Sequence, residues 1–144
     1  MARDPQNFAA WLAEHPPAEE AFTQTLAGAT ARVKGGASFQ HAMREFLDEF
    51  SLRPTDALRL AALAECPAPT GERRYDAYLG ALAEHLAAAH GLDRPAWSLS
   101  PERFLDVFWF PSAVAGFRAI AIAASPAAFR RRGIFLGPGA LDRT

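Results

Sequence analysis

Phe39, Ala42, Met43, Phe46, Leu47 and Phe50 recur at steps of three and four residues. This spacing places all six on one stripe of an α-helix, with His41, Arg44, Glu45, Asp48 and Glu49 on the other face. Ser38 stands where an N-cap belongs. No strand can carry this pattern, because alternate residues of a strand face opposite ways. The same logic extends along the chain, with glycine and proline as punctuation. Asp4-Pro5 opens a short helix carrying Phe8, Trp11 and Leu12, which His15-Pro16-Pro17 ends. A second helix is expected from about Pro17 to Lys34, stopped by Gly35-Gly36. Pro54-Thr55 opens another, with Leu58, Ala61, Ala62 and a further leucine at 60 or 63 inward. A long helix follows from about Glu72 to His90, with Tyr75, Tyr78, Leu79, Leu82, Leu86 and Ala89 inward and Gly91 as the residue that ends it.

Residues 92–111 break the pattern. Pro95, Trp97, Pro101, Phe104, Phe108, Trp109, Phe110 and Pro111 crowd into a crossover. Within it, Ser100-Pro101-Glu102 predicts one or two helical turns to about Asp106. Ser112 is expected to cap a helix carrying Val114, Phe117, Ile120, Ala121 and Ala124, and Ser125-Pro126 to open a last short one ending at Gly133. Ile134-Phe135-Leu136 reads as extended and Gly137-Pro138-Gly139 as a turn. The expected fold class is all-α, a single domain of six to seven helices. Residues 1–36 are expected to form an N-terminal helical appendage and residues 37–144 the main domain.

Composition narrows the function classes. The chain has 144 residues, and 32 of its 72 hydrophobic residues are alanine, so 16 aromatics must supply much of the core volume. The net charge of -1 excludes a polycation. A single cysteine excludes an internal disulfide and points to a reducing, cytoplasmic setting. No run of about 18 apolar residues and no signal-like start is present, so neither a membrane span nor a membrane partner is expected. Lys34 is the sole lysine, and the excess of arginine and alanine reads as coding bias. Residues 107–144 hold five arginines against one aspartate, an asymmetry that can steer a partner.

Catalytic chemistry finds little footing. His41, Cys66, His85 and His90 are the candidate metal ligands. His85 and His90 stand five residues apart on one helix, which turns their rings about 140° from each other, unlike the i, i+4 pair of a zinc helix. Cys66 precedes a proline with no histidine beside it. Ser38, Ser100, Ser112 and Ser125 all stand at expected helix caps. No phosphate-cradling loop follows a strand. The expectation is a protein that is not an enzyme and takes no metal and no cofactor.

Two surfaces remain. Residues 38–65 have the spacing of a helix-turn-helix, but the second helix offers only Thr55, Asp56 and Arg59 at the end that would meet bases. The aromatic crossover and the basic run supply the other: Phe104, Phe108, Trp109, Phe110, Arg130, Arg131 and Arg132 are the candidate partner-binding residues, since aromatics and arginine dominate interface hot spots. For the rings, closing the core over the long helix is the competing role.

Several short pieces carry a resemblance. They are Arg44 to Phe50, Leu79 to Leu92, Pro95-Ala96-Trp97, Pro101 to Asp106, Trp109-Phe110-Pro111-Ser112 and Ser125 to Leu136. Together they resemble a group of small bacterial helical proteins encoded beside nucleotidyltransferase-like proteins, in an arrangement like a toxin–antitoxin operon. The resemblance covers about two thirds of the chain, and residues 1–36 do not share it. It implies a protein-binding antitoxin that neutralises a nucleotidyltransferase-type toxin. The alternatives are a DNA-binding regulator acting through residues 38–65 and a self-associating scaffold module.

Overall fold

The computed structural model of the chain describes residues 10, 11, 14, 22–111 and 118–142. Within them the protein is all-α: six α-helices and no sheet, in one compact domain. The helices are α1 (Leu26–Lys34), α2 (Phe39–Leu52), α3 (Asp56–Ala64), α4 (Arg73–Ala89), α5 (Arg118–Ala124) and α6 (Ala127–Arg130). Two 3₁₀ turns, Ala96–Leu99 and Pro101–Arg103, lie between α4 and α5.

The expected stripe of α2 is the buried one, from Phe39 to Phe50. Ser38 caps the helix through its Oγ, which accepts from His41 N. Thr55 does the same for α3, and Leu63 rather than Leu60 is the buried leucine there. The long helix α4 matches its expected bounds. At its end the Leu92 amide donates to Ala87 O across Gly91, whose φ of 65° lies in the left-handed region. Its burial is wider than one stripe. Ala77, Leu79, Gly80, Ala81, Leu82, Ala83, Glu84, Leu86 and Ala87 are all buried, while Tyr75 and Tyr78 are only partly so and Ala89 is exposed. The helix is the spine of the fold, with the 3₁₀ turns and α6 packed on it and Phe39 of α2 stacked on Tyr75 at 4.0 Å. The alanine-rich sequence lets these neighbours approach closely.

Gly80 marks the tightest approach. A Cβ there would sit 2.8 Å from Arg103 Cβ and 3.2 Å from Ser98 O. Neither atom is the free end of a flexible chain. Gly80→Ala should therefore destabilise the fold: overpacking of about 1–3 kcal/mol exceeds the helix-propensity gain of about 1 kcal/mol. A thermal melt checks this, and a raised melting temperature would refute the close packing.

Five expectations change. Residues 22–36 are not an appendage: Leu26 and Ala29 are fully buried in the common core. Their helix also starts late, at Leu26, rather than at Pro17. Thr25 is extended and caps it, while the Glu49 carboxylate accepts from the amides of Thr23 and Gln24 and ties this stretch against α2. The turns expected after Ser100 amount to one 3₁₀ turn, because the Arg103 side chain is drawn inward to Pro67 O and Asp76 O and Phe104 leaves it extended. Ser100 makes no side-chain cap. Ser125 caps nothing either: its buried hydroxyl donates to Ala121 O and accepts from Leu136 N at 2.8 Å, pinning the last extended stretch to α5.

Of the first expected helix, Ala10, Trp11 and Glu14 are described, and all three are helical. The cap expected at Ser112, with Val114 and Phe117, lies outside the described residues.

Candidate functional site

Residues 104–110 and 130–136 run side by side. The Trp109 amide donates to Gly133 O at 2.8 Å, and Phe135 N donates to Trp109 O at 2.9 Å, an isolated parallel bridge. The extended reading of Ile134-Phe135-Leu136 fits this pairing. Gly133, with φ of 80°, turns the chain out of α6 into it. The bridge brings the two expected pieces of the partner-binding surface together and then sorts their side chains.

Neighbours on an extended chain point opposite ways. Phe108 faces out at 75% exposed, beside Val107 at 72%. Trp109 faces in, its ring 6.2 Å from Tyr75 and 6.5 Å from Tyr78. Phe110 stacks on Phe135 at 5.1 Å. Phe104 lies beneath two guanidinium groups, Arg132 at 4.5 Å and Arg131 at 5.7 Å from its ring centre. The rings are thus divided: Trp109 packs on the core and Phe108 faces outward.

The basic run is sorted too. Arg130 is exposed and has no ion-pair partner among the described residues. Arg131 is half-exposed and pairs with Glu84 Oε1 at 2.8 Å. Arg132 is 1% exposed. Its Nη1 donates to Glu84 Oε2 and to Ala128 O, and its Nη2 to Ser98 O. The expectation that Arg132 lies at the surface with its neighbours is therefore corrected: it is an internal tie between α4, α6 and the first 3₁₀ turn. Arg94 adds a third guanidinium to Glu84, on Oε1 at 2.9 Å. Burial by itself would raise the Glu84 pKa, but Arg132, Arg131 and Arg94 outweigh it and hold the carboxyl below its ordinary value. One carboxylate facing three guanidinium groups leaves a local excess of positive charge.

Sequence reasoning passed over Glu84. It stands on the long helix beside His85, and its partners lie 10, 47 and 48 residues further on. The only available signal was a charged residue inside an apolar face.

A groove of about 530 Å³ opens on the other side of Trp109, between α2 and α4. Phe39, Met43, Arg44, Arg74, Tyr78 and Trp109 are among its walls. Arg74 lies over the Trp109 ring at 5.4 Å and pairs with Glu72. Burial pushes the pKa of the Tyr78 hydroxyl up to about 12.

The other candidate residues are dispersed. Among the described residues no group of three His, Cys, Asp or Glu side chains could hold a metal ion. His41 pairs with Glu45 at 2.7 Å, and His90 sets its edge on Phe50. His85 packs on Phe129, and burial lowers its pKa. Cys66 is exposed, with Sγ 3.4 Å from Arg103 Nη2. Cys66→Ser should change stability by less than about 1 kcal/mol, as expected for an exposed site, and leave partner binding unchanged. Loss of binding with an unchanged melt would give the thiol a role of its own.

In the helix-turn-helix reading, Arg59 would face bases. Here its Nη1 pairs with Asp56 at 2.8 Å and its Nη2 donates to Arg53 O at 2.9 Å. Arg53 in the turn is buried and donates to Leu58 O and Gln24 O. Arg53 and Arg59 are thus engaged in holding the α2–α3 corner, while Arg44, the third arginine of the unit, is exposed on α2. No described helix is long and apolar enough to cross a membrane. No family model, no curated protein and no solved structure matches the chain.

Proposed function

We propose that this chain is a protein-binding module of the antitoxin type, which neutralises a nucleotidyltransferase-like toxin encoded beside it. The observation that carries the protein-binding reading is the exposed pair Val107 and Phe108. Large apolar side chains at 72% and 75% exposure are held on a short stretch pinned by the Trp109–Ile134 bridge. Gly133, the residue after Arg132, lies directly beneath: a Cβ there would be 3.5 Å from Phe108 Cδ1. An apolar centre next to the turn that carries Arg130 and Arg131 has the make-up of an interface hot spot. The positive excess around Glu84 suits an acidic partner. A nucleotidyltransferase site holds carboxylates for its metal ions, so its mouth is a surface of that kind. The toxin half of the reading rests on the sequence resemblance.

Co-expression with the product of the neighbouring reading frame, followed by affinity capture, tests this. Capture is expected for the wild-type chain. In Val107→Ser/Phe108→Ser it is expected to fall at least tenfold with the melting temperature unchanged. No capture of the neighbour's product refutes the antitoxin reading. Capture indifferent to the double substitution moves the interface elsewhere. The engagement of Arg53 and Arg59 within the α2–α3 corner argues against DNA as the partner.

A further inference from the structure

The groove between α2 and α4 lies on the side of the extended stretch toward which Trp109 points, away from Phe108. Its floor is aromatic: Phe39, Tyr78 and Trp109. Arg44 and Arg74 bring two guanidinium groups to it, and no carboxylate is among its described lining residues. The two cations differ. Arg74 is held by Glu72 and by the Trp109 ring. Arg44 is exposed and has no ion-pair partner among the described residues. The volume of about 530 Å³ falls in the range of ligand-sized sites.

We propose that this groove seats a short extended segment of a protein partner, with an aromatic or aliphatic side chain on the ring floor and an acidic residue on Arg44. Charge complementarity selects the occupant. A single free guanidinium matches a single carboxylate, with bidentate geometry available to it. A nucleotide would bring several phosphate charges to a rim whose second cation is already neutralised. An anchor between rings gains from burial and from edge contacts with Tyr78 and Trp109. The groove goes beyond the antitoxin reading and shares with it only the class of partner.

The test uses the full chain and a phage-displayed library of random twelve-residue peptides, so it does not depend on the neighbouring reading frame. Selection is expected to enrich peptides with an Asp or Glu within a few residues of an aromatic or large aliphatic residue. A synthetic copy of an enriched peptide should bind Arg44→Glu at least tenfold more weakly, and Arg44→Gln more weakly by a smaller factor. It should bind Val107→Ser/Phe108→Ser unchanged. Arg44 is exposed, so both Arg44 variants should melt like the wild type. Failure to enrich any acidic-apolar peptide overturns the proposal. So does an enriched peptide whose affinity ignores Arg44. Binding of ATP that Arg44→Glu abolishes, with no peptide enriched, would instead assign the groove to a nucleotide. Loss of toxin capture in Val107→Ser/Phe108→Ser alongside a failed selection would leave the antitoxin reading standing and remove this one.

Discussion

Glu84→Gln is expected to lower the unfolding free energy by about 3–5 kcal/mol, the cost of leaving a buried charge without its counter-ion. The charge left behind is Arg132, fully enclosed and donating to two carbonyls as well as to the carboxylate. Arg94 and Arg131 are half-exposed, so water solvates them when the carboxylate goes. Arg132→Leu should cost a similar amount, since it strands Ala128 O and Ser98 O. The double variant Glu84→Leu/Arg132→Leu should cost less than the two single losses together, because it leaves no buried charge unpaired, although Ala128 O and Ser98 O still lack their donor. A denaturant-unfolding cycle over wild type, Glu84→Leu, Arg132→Leu and the double variant measures the coupling. Additive single losses would mean that the two side chains do not act as a pair.

The same carboxylate sets a pH dependence. Its folded pKa is depressed, so its contribution is fully present above the unfolded value of about 4.3 and is lost as pH falls through the folded one. The stability gap between wild type and Glu84→Gln should stay constant from neutral pH down to about 5 and narrow below about 4.3. A gap that widens on acidification would mean that the folded carboxyl is raised instead.

Phe46→Ala is the second large effect, about 3–5 kcal/mol, which is a large share of the stability of a domain this size. Phe46 is 1% exposed and packs 5.8 Å from Phe50, which in turn meets His90 at the end of α4. Alanine cannot refill that space, because α2 is held at both ends: Ser38 caps it and Arg53 clamps its C-terminal turn to Gln24 and Leu58. Phe46→Leu should cost clearly less. A melt of Phe46→Ala equal to that of wild type would place this side chain outside the core.

The helices were legible because their cause is local. The three-and-four spacing of Phe39 to Phe50, the caps at Ser38 and Thr55, and Gly91 at the end of α4 act within a few residues. Where a distant group intervened, the sequence was silent. The carboxylate of Glu49 keeps Thr23 and Gln24 out of α1, and the pull on Arg103 from Pro67 O and Asp76 O ends its turn after three residues.

The candidate site divides along the same line. That residues 104–110 and 130–136 carry unusual aromatics and arginines could be read directly. What each side chain does could not. Arg130, Arg131 and Arg132 are chemically identical, yet one meets solvent, one shares Glu84 at the surface and one is sealed inside. The difference comes from the angular step between successive residues of the turn, set against a carboxylate 48 residues earlier. Phe108 and Trp109 differ for a similar reason, since pairing with Gly133 and Phe135 fixes which face of the strand is inward. By itself the sequence determined the all-α class, the helix order and the composition of the surface, because these follow from local periodicity and capping. Only the tertiary structure decided which arginine is buried, which ring is exposed and where the groove lies, because those depend on contacts between residues far apart in the chain.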